Sequence, residues 1–318
     1  MDDRLDPGIR TFTDILRNDW RRHPPLEDLS TVEARLVAER VRERWTAGGP
    51  TMSQTRNVEI ETGVGALRLR IHRPVGVAAE SAPALLYIHG GGFVFFSLDT
   101  HDRLMREYAD AGQFVVVGVD YPLSPEAKYP VALDHIVALV GWLSEHGTEF
   151  GIDATRLVIG GDSVGANLAL ATCLRLRDAD SAIILRGILS NYGAFSGHVS
   201  DAAEAAYGGP QAILTQVDMI YFFDQYLVSA DQCDDPYACP LSARDVSGLP
   251  QVMLVIPELD VLAEQSFALG ERLRSAGCQV LHEVYPGATH SFLEAMSIAP
   301  LAMKAISDGA SWIRTRMI

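Results

Sequence analysis

The sequence predicts an α/β protein built on a mostly parallel, eight-stranded sheet flanked by helices. Three observations carry that expectation. Continuous apolar runs recur at "ALLYIH" (84–89), "FVVVGVD" (114–120), "LVIGGD" (157–162), "GILS" (187–190) and "VMLVI" (252–256), and "VLHEVY" (280–285) closes the series. Such runs suit strands buried on both faces. Helix-periodic segments fall between them, near 101–111, 131–147, 164–177, 262–276 and 301–314, as crossover connections in a parallel sheet require. Before the series, "VEIE" (58–61) and "LRLRIH" (67–72) alternate apolar with polar, the pattern of half-exposed antiparallel strands.

The elements follow in chain order. Residues 1–50 read as two helices. Ile9, Phe12 and Leu16 share one face of the first, which Pro24 and Pro25 terminate. Ser30 and Glu33 form a capping box for the second, and Val37, Val41 and Trp45 line its apolar face. Residues 1–54 are therefore expected as a helical N-terminal segment, and 55–197 with 236–318 as the sheet-containing core. Residues 198–235, including "MIYFFDQYL" (219–227), break the alternation and read as a helical insertion beside the N-terminal helices.

Bulk properties exclude several functions. With 48% apolar and 21% charged residues, 318 residues bury a large core, and wholesale disorder is ruled out. A net charge of −15 repels phosphates, so neither nucleic acid nor an anionic membrane is expected as a partner. Cys173, Cys233, Cys239 and Cys278 form no zinc-like or CxxC cluster and are expected as reduced thiols. The opening "MDDRLDPG" lacks a signal-peptide pattern, and no apolar run approaches a membrane span. A cytoplasmic protein acting on a small molecule is expected; the oligomeric state, a homodimer included, is left open.

Chemistry concentrates at "LVIGGDSVGANLALA" (157–171). An apolar strand enters Gly161-Asp162-Ser163-Val164-Gly165 and leaves as a helix, the setting of a nucleophile elbow. A serine hydroxyl needs a base, and the base needs an orienting acid, which follow in the order serine, acid, histidine. His290, in "YPGATHSF" after the last strand run, is the expected base, whereas His282 sits mid-strand as a surface histidine. "PELDVL" offers Glu258 and Asp260 as acids; Asp260, further past the strand, is the choice. The unbroken Gly90-Gly91-Gly92 after the third strand suits backbone amides aimed at an oxyanion, with Val164 N–H as a further donor. A phosphate cradle is excluded, because there is no Gly-Lys-Ser/Thr ending and no basic residue nearby. His89 is expected to brace this loop and Phe93 to anchor it.

"HGGGF" (89–93), "GDSVG" (161–165), "ELDVL" (258–262) and "YPGATHSF" (285–292) together resemble the hormone-sensitive-lipase family of α/β-hydrolases. "LDTHDRLMR" (98–106) and "GVDYPLSPEAKYPVALDHIV" (118–137) are similar to its bacterial acetyl esterases. The resemblance implies the α/β-hydrolase fold, with the N-terminal helices and the 198–235 insertion as a helical cap. It implies Ser163 as nucleophile, Asp260 as acid, His290 as base, and the amides of Gly91, Gly92 and Val164 as the oxyanion hole. No metal or cofactor is implied. The expected activity is hydrolysis of short-chain carboxylic esters, acetyl to butyryl, through an acyl-serine intermediate. Against the family pattern, Val164 replaces the usual alanine, and Phe95 and Phe96 replace a small glycine. Both phenylalanines are expected to bind substrate and, with Val164, to shorten the pocket. The rival readings are a related hydrolase acting on an amide, a carbonate or a lyase substrate, and a non-catalytic binding relative.

Overall fold

Side chains of successive strand residues point to opposite faces, and here both faces are dry. The computed structural model describes residues 2–317. In β3 (Ala82–Ile88), Leu85 and Tyr87 join one hydrophobic cluster while Leu86 and Ile88 join the other, and all four are buried. That double burial explains why the run reads as unbroken apolar sequence. β1 (Met52–Thr62) and β2 (Gly65–Pro74) form an antiparallel pair, with Ile60 opposite Leu67. β2 pairs antiparallel with β4 (Val115–Asp120). The remaining strands are parallel: β5 (Ile152–Asp162), β6 (Ile188–Asn191), β7 (Val252–Leu259) and β8 (Val280–Thr289). The sheet order is β1-β2-β4-β3-β5-β6-β7-β8.

Helices complete the two faces. α1 (Pro7–Trp20), α3 (Asp102–Gly112) and α9 (Pro300–Arg316) contribute Phe12, Tyr108 and Ile306 to one cluster. α4 (Val131–His146), α5 (Val164–Asp178) and α8 (Ala263–Ser275) contribute Leu139, Leu168 and Leu269 to the other. Each such side chain stabilises the fold by roughly 1.5–3 kcal/mol relative to exposure.

The N-terminal helices form as their local signals require. Asp6 caps α1 by accepting from the N–H groups of Gly8 and Ile9, with Pro7 at the first helical position. α2 (Thr31–Thr46) begins with the reciprocal Ser30–Glu33 capping box. Phe12 meets Trp45 edge-on at 4.7 Å and locks the two helices together. The apolar face of α2 differs from expectation. Its buried stripe is Ala34, Ala38, Val41 and Trp45, with Arg42 among them, whereas Val37 is half-buried. The two alanines allow close approach to Val94 and Phe95, and that contact rotates the stripe.

Residues 198–235 hold α6 (Asp201–Tyr207) and α7 (Gln216–Tyr226). α7 starts with a Thr215–Asp218 capping box and buries Met219, Phe223 and Tyr226. At its other end Lys128 Nζ donates to the carbonyls of Asp224, Gln225 and Leu227, at 2.7–2.9 Å. A cation on those orphan carbonyls stabilises the helix end. No helix among the described residues is long and apolar enough to cross a membrane.

β8 outruns its sequence signal. The pattern ends at Tyr285, but the strand continues to Thr289, because after an irregularity Leu259 of β7 pairs with Thr289. His290 therefore sits directly at a strand end instead of inside a free loop. The carboxyl ends of β3, β5, β7 and β8 all open on one side of the sheet, where ligands of open α/β sheets bind.

Candidate active site

Ser163 occupies the one-residue turn between β5 and α5, with φ 53° and ψ −120°. A non-glycine residue in that region costs about 1–3 kcal/mol, so its surroundings must hold it. They do: Ser163 N donates to Asn191 O at 2.9 Å, and Ser163 O accepts from Ala166 N and Ala194 N, both at 3.1 Å. Gly161 and Gly165 are required by close approach. A Cβ on either would lie 2.2 or 2.0 Å from the carbonyl oxygen of Ile88, at the end of the adjacent β3. The collision is thus with a neighbouring strand more than across the turn.

The turn points Ser163 Oγ at His290, with Nε2 at 3.1 Å. His290 Nδ1 lies 2.7 Å from Asp260 Oδ2. A carboxylate only accepts, so Nδ1 carries the proton and Nε2 is left as an acceptor for the serine hydroxyl. Asp260 is buried, and its second oxygen accepts from Leu262 N at 2.9 Å. Tyr192 meets the imidazole edge-on at 5.0 Å, a contact with no sequence signal. Glu258 faces solvent and accepts from Gly287 N at 2.9 Å. The structure therefore brings Ser163, His290 and Asp260 into one hydrogen-bonded row and leaves Glu258 outside it.

The glycine run forms a tight turn after β3. Val94 N and Phe95 N both donate to Gly91 O, at 3.1 and 2.8 Å. Gly91 has φ 108°, and a Cβ there would lie 2.2 Å from Phe95 O, so only glycine fits. No acceptor among the described residues takes the N–H of Gly91, Gly92 or Val164. Phe93 stacks on Tyr226 with centroids 3.6 Å apart and anchors the turn to α7. His89 stacks on Tyr121 at 4.5 Å and its Nδ1 lies 2.8 Å from Gly90 O. Burial and the neighbouring His101 push His89 down to about 4, so it is neutral and braces the turn.

Asp162 and His101 escaped the sequence reading. Asp162 Oδ1 accepts from Tyr87 Oη at 2.9 Å and from Gly90 N at 3.2 Å, and Oδ2 lies 3.4 Å from His101 Nε2. One buried carboxylate thus ties the serine turn to the glycine turn. Burial disfavours its charge, but His101 and Tyr87 outweigh burial and hold it below the usual carboxylate range. Burial likewise opposes a charged His101, yet Asp162 raises its pKa above the ordinary histidine value. The available signal was Asp162 inside the turn motif and a histidine opening α3.

A cavity of about 200 Å³ lies over the row. Ser163, His290, Gly91 and Gly92 form its floor, with Phe95 and Phe96 beside them. Its roof combines α1 and α2 side chains with Leu214 and Phe222 from the insertion. Val164 is absent from the wall; its side chain packs into the core beneath the elbow. The expectation that its bulk narrows the pocket is therefore corrected, because the strained turn aims the serine outward and the next residue inward.

Strand order, elbow and row are those of an α/β hydrolase, and the chain belongs to that family: residues 85–294 match the family described by the alpha/beta hydrolase fold. Within it the chain is one of the hormone-sensitive-lipase-like members. It is 33% identical over 274 residues to an acetyl esterase of Salmonella agona, covering 86% of this chain and 83% of that protein. Among solved structures it resembles an ester hydrolase from the metagenome of Lake Arreo, with TM-score 0.91, 29% identity and 98% of each chain covered. A thermostable esterase from Pseudomonas putida superposes equally well, with TM-score 0.91, 28% identity and coverage of 99% of this chain and 98% of that one.

Proposed function

We propose that the protein is a carboxylic-ester hydrolase that cleaves short-chain esters, acetyl to butyryl, through an acyl-Ser163 intermediate. The observation that carries this reading is the row Asp260–His290–Ser163 opening into the same cavity as the Gly91 and Gly92 amides. His290 Nε2 removes the serine proton as Oγ attacks the ester carbonyl, and Asp260 stabilises the resulting imidazolium. The N–H groups of Gly91, Gly92 and Val164 donate to the oxyanion, the largest expected contribution to rate. His290 returns the proton to the departing alkoxide, leaving acyl-Ser163. Water, deprotonated by His290, then attacks the acyl group and releases the carboxylic acid, with the proton returning to Oγ.

Residues 1–54 and 198–235 act as the cap, supported by their joint contribution to the cavity roof. Phe95 and Phe96 bound the acyl site, supported by their place on its wall. The protein works in the cytoplasm on a small molecule, alone or as a homodimer, and without nucleic-acid or membrane partners; the net charge of −15 supports the last of these, since it repels phosphates. Purified protein assayed on p-nitrophenyl esters of graded acyl length tests the reading. Turnover should be highest on acetate to butyrate and abolished by an organophosphate that labels Ser163. Absence of turnover on every ester would overturn it.

A further inference from the structure

Arg35 reaches from α2 to the glycine turn. Its Nε donates to Val94 O at 2.8 Å, and its Nη2 donates to Ser124 O at 2.7 Å. Ser124 N in turn donates to Phe93 O at 2.8 Å, so the guanidinium fastens the turn at two points. Glu126 accepts from Nη1 and Nη2 at 3.0 and 2.7 Å, but its side chain is 57% exposed against 23% for Arg35. The ion pair therefore faces water, which screens it, while the Nε–H is turned in towards Val94.

A trans peptide unit holds its C=O and N–H on opposite sides, so a hydrogen bond received by the carbonyl strengthens the one its N–H gives. Two such units run in series from Arg35. Val94 O accepts from the guanidinium, and the N–H of the same unit, on Phe95, donates to Gly91 O at 2.8 Å. The N–H of the next unit belongs to Gly92, on the cavity wall beside Ser163, and has no acceptor among the described residues. Both unit dipoles point their positive ends away from Arg35 and towards that free N–H. The Gly91 N–H is backed differently: its unit carries Gly90 O, which accepts from Nδ1 of the neutral His89 at 2.8 Å. One donor is thus braced from the sheet and the other from α2.

Resting on the ester-hydrolase reading, we infer that Arg35 is a positioning residue for the reaction. Through the units Val94–Phe95 and Gly91–Gly92 it orients and polarises the Gly92 N–H that meets the oxyanion. It touches no reacting atom, and its effect grows as negative charge develops on the substrate oxygen.

The test reads kcat and KM on p-nitrophenyl acetate together with the inhibition constant of trifluoromethyl ethyl ketone. Ser163 Oγ adds to the ketone carbonyl, His290 takes the hydroxyl proton, and the new oxyanion lies against the same donors. An inhibition constant does not depend on how much of a variant folds. Arg35→Met should lower kcat about tenfold, a fraction of the ~10²–10³ lost when an oxyanion donor is removed outright, because the donor stays and loses only its backing. The ketone should bind more weakly by a similar factor, while KM stays within about threefold. Arg35→Lys keeps a charged donor and should lose less in both readings; it carries the comparison if the methionine variant does not fold. Glu126→Gln breaks the exposed ion pair alone and should stay within about threefold of wild type throughout. Unchanged kcat and ketone affinity in the Arg35 variants, a loss carried by KM alone, or an equal loss in Glu126→Gln overturns the inference. Failure of the wild type to cleave p-nitrophenyl acetate instead overturns the ester-hydrolase reading, and this inference with it.

Discussion

His290 Nδ1 stands 2.7 Å from Asp260 Oδ2, while Glu258, two residues earlier, turns outward to accept from Gly287 N. The two carboxylates are two residues apart, which an even pleat would put on one face; the irregularity between Pro257 and Leu259 and the end of the strand at Leu259 part them. Asp260→Asn should lower kcat by about 10⁴-fold, because an amide stabilises the wrong imidazole tautomer. Glu258→Gln keeps an oxygen for Gly287 N and should change kcat by no more than a few fold. Steady-state kinetics on p-nitrophenyl acetate decide between them. A larger loss in the Glu258 variant would mean that the contact seen here is not the working one.

Ser163→Ala removes the hydroxyl that His290 Nε2 faces at 3.1 Å. Activity should drop at least ~10⁴-fold, since no acyl-enzyme can form while the oxyanion donors persist. Thermal stability should hold or rise slightly, although φ 53° strains alanine as it does serine. Substantial turnover by this variant, measured after exclusion of contaminating esterase, would sink the nucleophile assignment.

Acyl-chain selectivity should depend on Phe96 and hardly on Val164. Phe96 is on the cavity wall at φ 75°, a conformation glycine adopts without strain, whereas the Val164 side chain is in the core. A methylene that does not fit costs roughly 1–3 kcal/mol, or ~10–200-fold in kcat/KM. Wild type should therefore prefer acetate to butyrate and fall steeply by octanoate. Phe96→Gly should raise the octanoate-to-acetate ratio, and Val164→Ala should leave it within a few fold. An unchanged acyl profile in Phe96→Gly would assign the ring to packing alone.

The histidines beneath the glycine turn make stability depend on pH. His89 is held neutral, down to about 4 from the ordinary 6.5, so the unfolded chain binds a proton that the native state refuses. Its contribution is complete above pH 6.5 and is lost as pH falls towards 4, roughly 3 kcal/mol in all. His101 runs the other way. Raised by Asp162, it stabilises most below pH 6.5 and loses that effect as pH rises through its folded value. Urea unfolding from pH 7 to pH 4 should show His89→Gln losing stability less steeply than wild type in that window. Equal slopes would contradict a neutral buried His89.

Much of this protein was legible in one dimension because each role demands a particular local residue type. Strands buried on both faces must be apolar throughout, and the runs at 84–89, 114–120 and 252–256 are. A strained strand-to-helix turn needs glycines where another strand passes, and Gly161 and Gly165 stand where Ile88 O does. Caps at Ser30 and Glu33 act over three residues, so their pairing was readable directly.

What the sequence determined by itself was therefore the fold class, the elbow serine and the short set of partners for it. Tertiary structure alone decided whatever depends on facing and on pairing across long stretches of chain. Arg42 reads as one more surface arginine until Ala34 and Ala38 dock on Val94 and Phe95 and turn it inward. Asp162 reads as filler in a motif until Tyr87, Gly90 and His101 converge on it from other elements. His290 reads as a loop residue until Leu259 pairs with Thr289 and sets it at a strand end, 2.7 Å from its acid. Local propensity acts within a turn or two of chain; the direction of a side chain in a cavity is set by contacts far along it, from the 30-residue separation of Asp260 and His290 to the 127-residue separation of Ser163 and His290.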